Sequence, residues 1–410
     1  MRMLVLWHEF PSPYWGATLP MFNLLRNFSE KHEITLVCFR RIAPETTWKD
    51  PDLSQYCERI ITVDLKLPRN PSVGAIILAL KNMAIHIASG RTNPILASPF
   101  YASKMAKELD TVQKSKSYDV ILTNGQMTIY VRDAPLPKIV VPFDARSENH
   151  LLMYKNSKSY GQKLLWLLLH VREKLYESDI YDKFDSCVVV TERDRALLQH
   201  NLKKARIAVI PNGVDIEYFK PKGDKRESMS MVFVGSMSQQ PNITGVLRFC
   251  KEILPLVRKE APESKLYIIG SNPSKEILEL ASGDSVIVTG FVDDVRPYLE
   301  KASVVIAPMF YGVGIKNKIL EAMAMGKPIV TTSNGIEGID AVPGKDILVA
   351  DAPEDFAKHV LTVLKSEPYG DCIGRDARRL IEEKYSWSRT AEKYNQLIQE
   401  TTLAKQRTTS

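Results

Sequence analysis

The chain has 410 residues, more than one ordinary core holds, so two or three domains are expected. It is 44% hydrophobic and 25% charged, the balance of a soluble protein. The formal charge is +7, from 55 Lys and Arg against 48 Asp and Glu. That fits an acidic small ligand or an anionic membrane surface, and the lack of any dense basic block argues against nucleic acid.

The five cysteines are scattered with no CxxC pair and read as reduced thiols of a cytosolic chain. MRMLVLW at 1–7 is too short for a signal-peptide core. The apolar run LLWLLL at 164–169 is far short of the about 20 residues a bilayer requires.

Residues 3–7 (MLVLW) read as a short apolar strand, followed by the loop HEFPSPYWGA, a helix near TLPMFNLLRNFSEKH and the buried-strand pattern ITLVCF. That succession is a βαβ unit. YDVILTN, KIVVPFD and FDSCVVV are apolar without alternation, as in a sheet covered on both faces. A long helix is expected from about Tyr160 to Ile180. ARIAVIPNGVDIEYFKPKGDKRESM joins a strand, an Asn-Gly turn and a polar run, the composition of a domain boundary. The alternation then restarts with SMVFVG, KLYIIG, SVIVTG, SVVIAP, KPIVTT and DILVA. Three of these strands run straight into glycine, Gly235 among them. Either glycine simply ends the strand, or it lets backbone approach a ligand beyond the carboxyl ends.

The expected fold class is therefore α/β, with two Rossmann-like α/β/α domains at 1–205 and 206–385 and a ligand cleft between them. A helical segment at 386–402 and a flexible polar tail at 403–410 complete the layout.

One stretch stands apart: APMFYGVGIKNKILEAMAMGKPIVTT, residues 307–332. Gly312 and Gly314 keep its loop free of side chains. The helix start that follows offers unpaired N–H groups and a positive dipole end, and Lys316 or Lys318 adds point charge. Glu321 falls one turn past Lys318 on the same helical face, and Gly326 and Pro328 stop the helix. Such a junction suits a diphosphate. Pattern alone also allows a solvated helix carrying a chance Lys–Glu pair.

These phrases resemble the GT-B glycosyltransferases, specifically the large retaining family 4, and within it a subgroup associated with exopolysaccharide and cell-surface sugar assembly. The resemblance is carried by IAVIPNGVDIEYFKP, VFVGSM, LYIIG, VTGFVDDVRPYLEKASVVIAP, GIKNKILEAMAMGKPIVTT and YSWSRTAEKY. It covers nearly the whole chain and is specific from about Ile207 onward. It implies transfer of a sugar from a nucleotide-diphosphate donor, with UDP the expected nucleotide. The acceptor would be a hydroxyl of a glycan, glycolipid or small molecule, and the anomeric configuration would be retained. It places Glu321 on the ribose hydroxyls, and Gly235, Gly312, Gly314, Lys316, Asn317 and Lys318 about the donor. Backbone at Phe291 and Val292 would meet the nucleobase, although the Phe291 ring could instead be core packing. Gly16 would bring the first loop close to the donor. Asp293 and Asp294 are expected to cap the next helix.

The chain departs from the family pattern twice. Val313 stands where the first of two glutamates is usual, near the donor sugar. GSMSQQPN offers Ser236 and the Pro241–Asn242 region where relatives place Arg and Lys. Either the lysines of the junction supply the missing charge, or the diphosphate is bound more weakly.

In the N-terminal half, Asp144 directly follows the strand pattern KIVVPF. The resemblance puts a reacting-centre role here, orienting the acceptor hydroxyl or steadying positive charge on the sugar. The alternative is that Asp144 caps the next helix. Lys316 and His150 complete the catalytic candidates, with Arg146 and His8 as neighbours. Glu177 matches a charged position of the subgroup or serves as a structural ion-pair partner. No cofactor and no metal are expected, because the histidines are dispersed and no DxD cluster occurs. The expected location is cytoplasmic, or peripheral on the inner face of the membrane. A sugar-nucleotide epimerase and an inactive binding subunit share the fold. Nucleotide release only on addition of an acceptor separates transfer from both.

Overall fold

The computed structural model describes residues 1–13, 18–41, 50–65, 103–115, 117–157, 159–223, 225–283 and 285–409, so Gly16 lies outside the described residues. The chain divides into two compact units, one of Met1–Ile210 with Ala391–Ser410 and one of Pro211–Thr390.

The first unit carries a seven-stranded sheet of β1 (Arg2–Trp7), β2 (Glu33–Arg41), β3 (Arg59–Leu65), β4 (Val120–Asn124), β5 (Lys138–Phe143), β6 (Ser186–Val189) and β7 (Arg206–Val209). The order is β3-β2-β1-β4-β5-β6-β7, and every pairing is parallel. The inner strands β1, β4, β5 and β6 are buried on both sides, which is why they read as unbroken apolar runs. Leu4, Leu6, Val37, Ile121 and Val140 lie at the centre of this core, each fully buried and each contributing about 1.5–3 kcal/mol. A charge at Leu4 would break it.

The second unit carries β8 (Ser230–Val234), β9 (Lys265–Ile269), β10 (Val286–Gly290), β11 (Val304–Ala307), β12 (Ile329–Thr331) and β13 (Leu348–Val349), all parallel. Their order is β10-β9-β8-β11-β12-β13. Counted from its own first strand, each sheet runs 3-2-1-4-5-6. The chain reverses direction between β1 and β4 in one unit, and between β8 and β11 in the other. Parallel α/β sheets open their ligand crevices beyond the carboxyl ends of such strands.

Two expected boundaries shift. Arg206–Val209 pairs with β6, so the first unit ends at Ile210 and not at 205. The expected tail is helical instead of frayed, within one helix spanning Trp387–Thr409. Contacts hold it in place: Thr401 Oγ1 lies 2.8 Å from Ser186 Oγ, and Lys405 Nζ donates to Asp185 Oδ1 at 2.9 Å.

Candidate functional site

In the second unit the chain leaves β11 at Ala307 and enters the helix Asn317–Ala324. Gly312 (φ +130°) and Gly314 (φ +69°) adopt left-handed backbone, which a side chain would strain. Lys316 is the N-cap residue and is buried. Its Nζ donates to the carbonyls of Gly314 at 2.6 Å and Val313 at 3.5 Å. Its charge fastens the loop that contains it, a role the sequence did not suggest.

Lys318 points elsewhere. Its Nζ donates to Asn242 Oδ1 at 2.5 Å and lies 4.6 Å from the centre of the Phe233 ring. Asn242 Nδ2 in turn donates to the carbonyl of Ser236 at 2.7 Å. The segment GSMSQQPN, which lacks cations of its own, thus holds Lys318 in place. Gly235 makes this possible, since a Cβ there would fall 2.5 Å from Lys318 Nζ. A Cβ on Gly270 would collide with the Gly235 carbonyl, so Gly270 serves close packing between two strand ends.

Glu321 is half-buried, and its carboxylate has no hydrogen-bond partner among the described residues. Burial pushes its carboxyl up to about 7, opposed by the charge of Lys318. Burial likewise draws the Lys318 ammonium down to about 7, with Glu321 opposing and Lys316 adding to the fall. Both groups are therefore poised near neutrality in a site that a ligand would complete. Asn317 Oδ1 accepts from Asn212 Nδ2 at 3.2 Å, which ties the helix to the PNG turn. That turn also meets the YSW phrase: Val214 N donates to the Tyr385 carbonyl at 2.7 Å, and Gly213 lies against Trp387.

Phe291 is 54% exposed, which removes the core-packing reading, and Val292 beside it is half-buried. Asp294 accepts the Arg296 backbone N–H at 2.9 Å and grips its guanidinium, but the N-cap residue of the helix is Val295, so neither Asp293 nor Asp294 is the expected cap. Asn334 went unread in the sequence. Its Nδ2 donates to the Gly312 carbonyl at 3.0 Å, while its Oδ1 is buried without a partner among the described residues. The Asn-Gly pair after KPIVTTS was the available signal.

In the first unit β5 ends at Phe143, a non-glycine residue at φ +69° whose ring meets Trp7 edge-on at 5.7 Å. Asp144 follows at the carboxyl edge, and it is not a helix cap. Ala145 is the N-cap residue of helix Arg146–Asn156, and Asp194 Oδ1 accepts its N–H at 3.0 Å. Glu177, from the helix Tyr160–Ile180, accepts from Ser147 N at 3.0 Å and from Ser147 Oγ at 2.6 Å. The fully buried Glu177 is thus the cap, supplied from a neighbouring helix, and burial pushes its carboxyl up to about 7.

Asp144 is half-buried and accepts no hydrogen bond from another described residue. Burial raises its carboxyl to about 6, Asp194 adds to the rise and Arg146 opposes it. Arg146 is itself held by Glu173 at 3.4 Å, and Arg172 meets the same carboxylate at 3.0 Å. His150 stacks on Trp166 with ring centres 5.6 Å apart. Burial draws its imidazole down to about 4, so it is neutral at ordinary pH, and Nε2 has no partner among the described residues. His8, at the end of β1, bonds through Nδ1 to the Asn124 side chain at the end of β4. His8, Asn124 and Asp144 therefore follow three adjacent strands at the carboxyl edge of one sheet.

Among the described residues no cluster of three His, Cys, Asp or Glu could hold a metal, and no helix is long and apolar enough to cross a membrane.

A family model described as Glycosyltransferase Family 4 matches residues 16–218, and one described as Glycosyl transferases group 1 matches residues 228–366. The chain is 26% identical over 326 residues to an uncharacterized glycosyltransferase of Methanocaldococcus jannaschii, covering 71% of this chain and 77% of the relative. It is 24% identical over 245 residues to an Escherichia coli UDP-Gal:alpha-D-GlcNAc-diphosphoundecaprenol alpha-1,3-galactosyltransferase, covering 54% and 60%. The fold is similar to that of sucrose-phosphate synthase from Thermosynechococcus elongatus, with a TM-score of 0.74 at 16% identity over 98% of this chain and all of that one.

Proposed function

We propose that this chain, which belongs to glycosyltransferase family 4, transfers a sugar from UDP to a hydroxyl of a glycan or glycolipid acceptor, with retention of configuration. The carrying observation is the pair Lys318 and Glu321. It stands one helical turn apart at the strand-order reversal of the second sheet, beside a loop of left-handed glycines. The E. coli relative supports UDP and a lipid-diphosphate-linked acceptor, both stated in its name.

In this reading the N–H groups at the start of helix Asn317–Ala324 and the Lys318 ammonium receive the diphosphate. Glu321, ionised, accepts the two ribose hydroxyls. The exposed Phe291 and the backbone of Val292 border the base. The bond between the anomeric carbon and the diphosphate oxygen breaks, and the nucleotide keeps its electron pair. The acceptor oxygen bonds to the same carbon, and its proton passes to the departing diphosphate oxygen. Charge grows on the departing diphosphate, so a fixed ammonium is worth more in the transition state than before it. Asp144 is assigned to the acceptor side, orienting the hydroxyl as it loses its proton. His150, neutral and stacked, is assigned to shaping that side and not to carrying a proton. The reaction as proposed takes its cations from the protein and needs no metal, and the enzyme works in the cytoplasm.

Calorimetry with UDP and UDP-sugars, followed by measurement of nucleotide release with and without lipid-linked glycans, tests the reading. Release that ignores every acceptor would overturn it, and the anomer of the product, read by NMR, decides retention.

A further inference from the structure

The helix Tyr160–Ile180 packs one face, carrying Glu173, Glu177 and Ile180, into the fold and turns an apolar face the other way. On the used face Glu173, Glu177 and Ile180 are buried, Trp166 stacks on His150, and His170 Nδ1 bonds to the Ser147 carbonyl at 2.8 Å. The opposite face carries Tyr160 (90% exposed), Leu164 (59%), Leu167 (38%), Val171 (46%) and Leu175 (41%). At about 100° per residue these five fall within roughly 80° of arc, as one straight stripe. They are five of the eleven large hydrophobic side chains exposed among the described residues, gathered on a single helix. Isolated exposed leucines are ordinary, but a contiguous stripe marks an interaction surface.

The charge around the stripe identifies its occupant. Lys163 and Lys174 flank it on the same helix, and Lys155 stands at the end of the preceding one. None of the three has an ion-pair partner among the described residues, and Lys163 lies 5.9 Å from the centre of the Tyr154 ring. The carboxylates of the helix do not face this way: Glu173 and Glu177 are buried on the used face, which leaves Asp179 near the C-terminal end. A second copy of the same face would set three lysines against three lysines with Asp179 as the one carboxylate of the helix to answer them. An anionic phospholipid surface meets both features, since headgroup phosphates take the lysines and the acyl boundary takes the leucines.

We infer that the Tyr160–Ile180 helix lies along an anionic phospholipid bilayer, its Leu164–Leu167–Val171–Leu175 stripe in the acyl boundary and Lys155, Lys163 and Lys174 among the headgroups. The apolar run LLWLLL, too short to span a membrane, is long enough to lie on one. Attachment of this kind does not depend on which sugar is transferred, or on sugar transfer at all.

Co-sedimentation with vesicles of phosphatidylglycerol and phosphatidylethanolamine, against pure phosphatidylcholine, tests the inference in the absence of any nucleotide. The expected result is binding at least tenfold stronger to the anionic vesicles. The triple variant Leu164→Ser, Leu167→Ser, Val171→Ser should lose at least tenfold while keeping the melting curve and UDP affinity of the parent. Should the triple variant melt early, the single Leu164→Ser change at the most exposed leucine should still lower binding severalfold. The double variant Lys163→Gln, Lys174→Gln should flatten the salt dependence. Three results would each overturn the inference: no vesicle binding by the parent, unchanged binding by the serine variants, or a parent dimer in sedimentation velocity that those variants dissociate.

Discussion

Replacing Asp144 with asparagine should make the protein more stable and less active, and the two effects should separate with pH. Burial and the neighbouring Asp194 raise the Asp144 carboxyl from its ordinary 3.8 to about 6. The folded chain therefore holds its proton to higher pH than the unfolded chain does. Between about pH 4 and pH 6 folding takes up a proton, so stability falls as pH rises through that window. Above about pH 6 the full cost of the buried charge is present. At about 1.36 kcal/mol per pH unit, a rise of this size corresponds to about 3 kcal/mol. The asparagine amide keeps part of the burial cost, so a gain of about 1–3 kcal/mol is expected near pH 7.5. For a unit of this size that raises the melting temperature by about 2–4 °C per kcal/mol. Near pH 4 parent and variant should melt together.

Turnover should fall about 10²-fold with donor affinity kept, because the carboxylate acts on the acceptor as the bond forms. Differential scanning calorimetry at several pH values and steady-state assays on the same preparation give both readouts. A variant less stable than the parent at pH 7.5, with turnover kept, would refute the reasoning and return Asp144 to a structural role.

Lys318→Met should weaken UDP binding about 10–100-fold and uridine binding less than about threefold, since a charge-assisted bond of about 1.5–3 kcal/mol goes to the diphosphate alone. An anion raises the Lys318 ammonium above its free-site value of about 7, so its contribution to UDP affinity declines as pH rises above 7, while Glu321, also near 7, must lose its proton to accept the ribose, so affinity should also fall below pH 7. Titrations from pH 5 to 9 should show a maximum near neutrality in the parent and lose the alkaline fall in the Lys318 variant. Glu321→Gln should instead weaken UDP and uridine together, about tenfold or more, and calorimetry with both ligands distinguishes ribose from diphosphate recognition. Glu177→Ala removes the cap of helix Arg146–Asn156 and should cost about 1–2 kcal/mol in chemical denaturation, with UDP affinity unchanged.

The strands were legible because a parallel sheet buries both faces, and unbroken runs such as KIVVPF have no other stable use. Strand order was not legible, because it is set by which crossovers pack, information that no single segment holds. At the site, the glycine-and-lysine junction pointed to a diphosphate, but two lysines two residues apart could not be ranked. The ranking follows from the helix starting at Asn317. Lys316 lies just outside it and turns onto its own loop, while Lys318 lies inside and reaches Asn242. Asn242 was noticed only as a place where a cation was missing. Its role depends on a contact 76 residues away in sequence. The capping role of Glu177, 30 residues from Ser147, was hidden for the same reason, and Asp144 took the credit for it by proximity alone.

That reassignment supplies a criterion for separating structural from functional carboxylates in this chain. Glu173 is buried and meets two guanidinium groups, and Glu177 is buried and accepts two bonds from Ser147. Asp194 is buried too, and its oxygens accept from Ala145 N and Thr191 Oγ1. In each case the fold provides the partners that make burial tolerable. Asp144 and Glu321 differ. Both are half-buried and both are raised toward neutrality by desolvation, yet neither carboxylate accepts a hydrogen bond from another described residue. Glu321 stands beside the strand-order reversal of its sheet, and Asp144 follows β5, the next strand but one from β1 across the reversal of the other sheet, both at carboxyl edges where a ligand can approach. A carboxylate desolvated by the fold and left without a donor destabilises the empty protein, so its compensation has to come from something that binds. Sugar and ribose hydroxyls are donors of the required kind. This criterion is what supports the proposed assignment of donor recognition to Glu321 and acceptor recognition to Asp144, and the pH dependence of Asp144→Asn stability and of Lys318-dependent UDP binding puts each half to test separately.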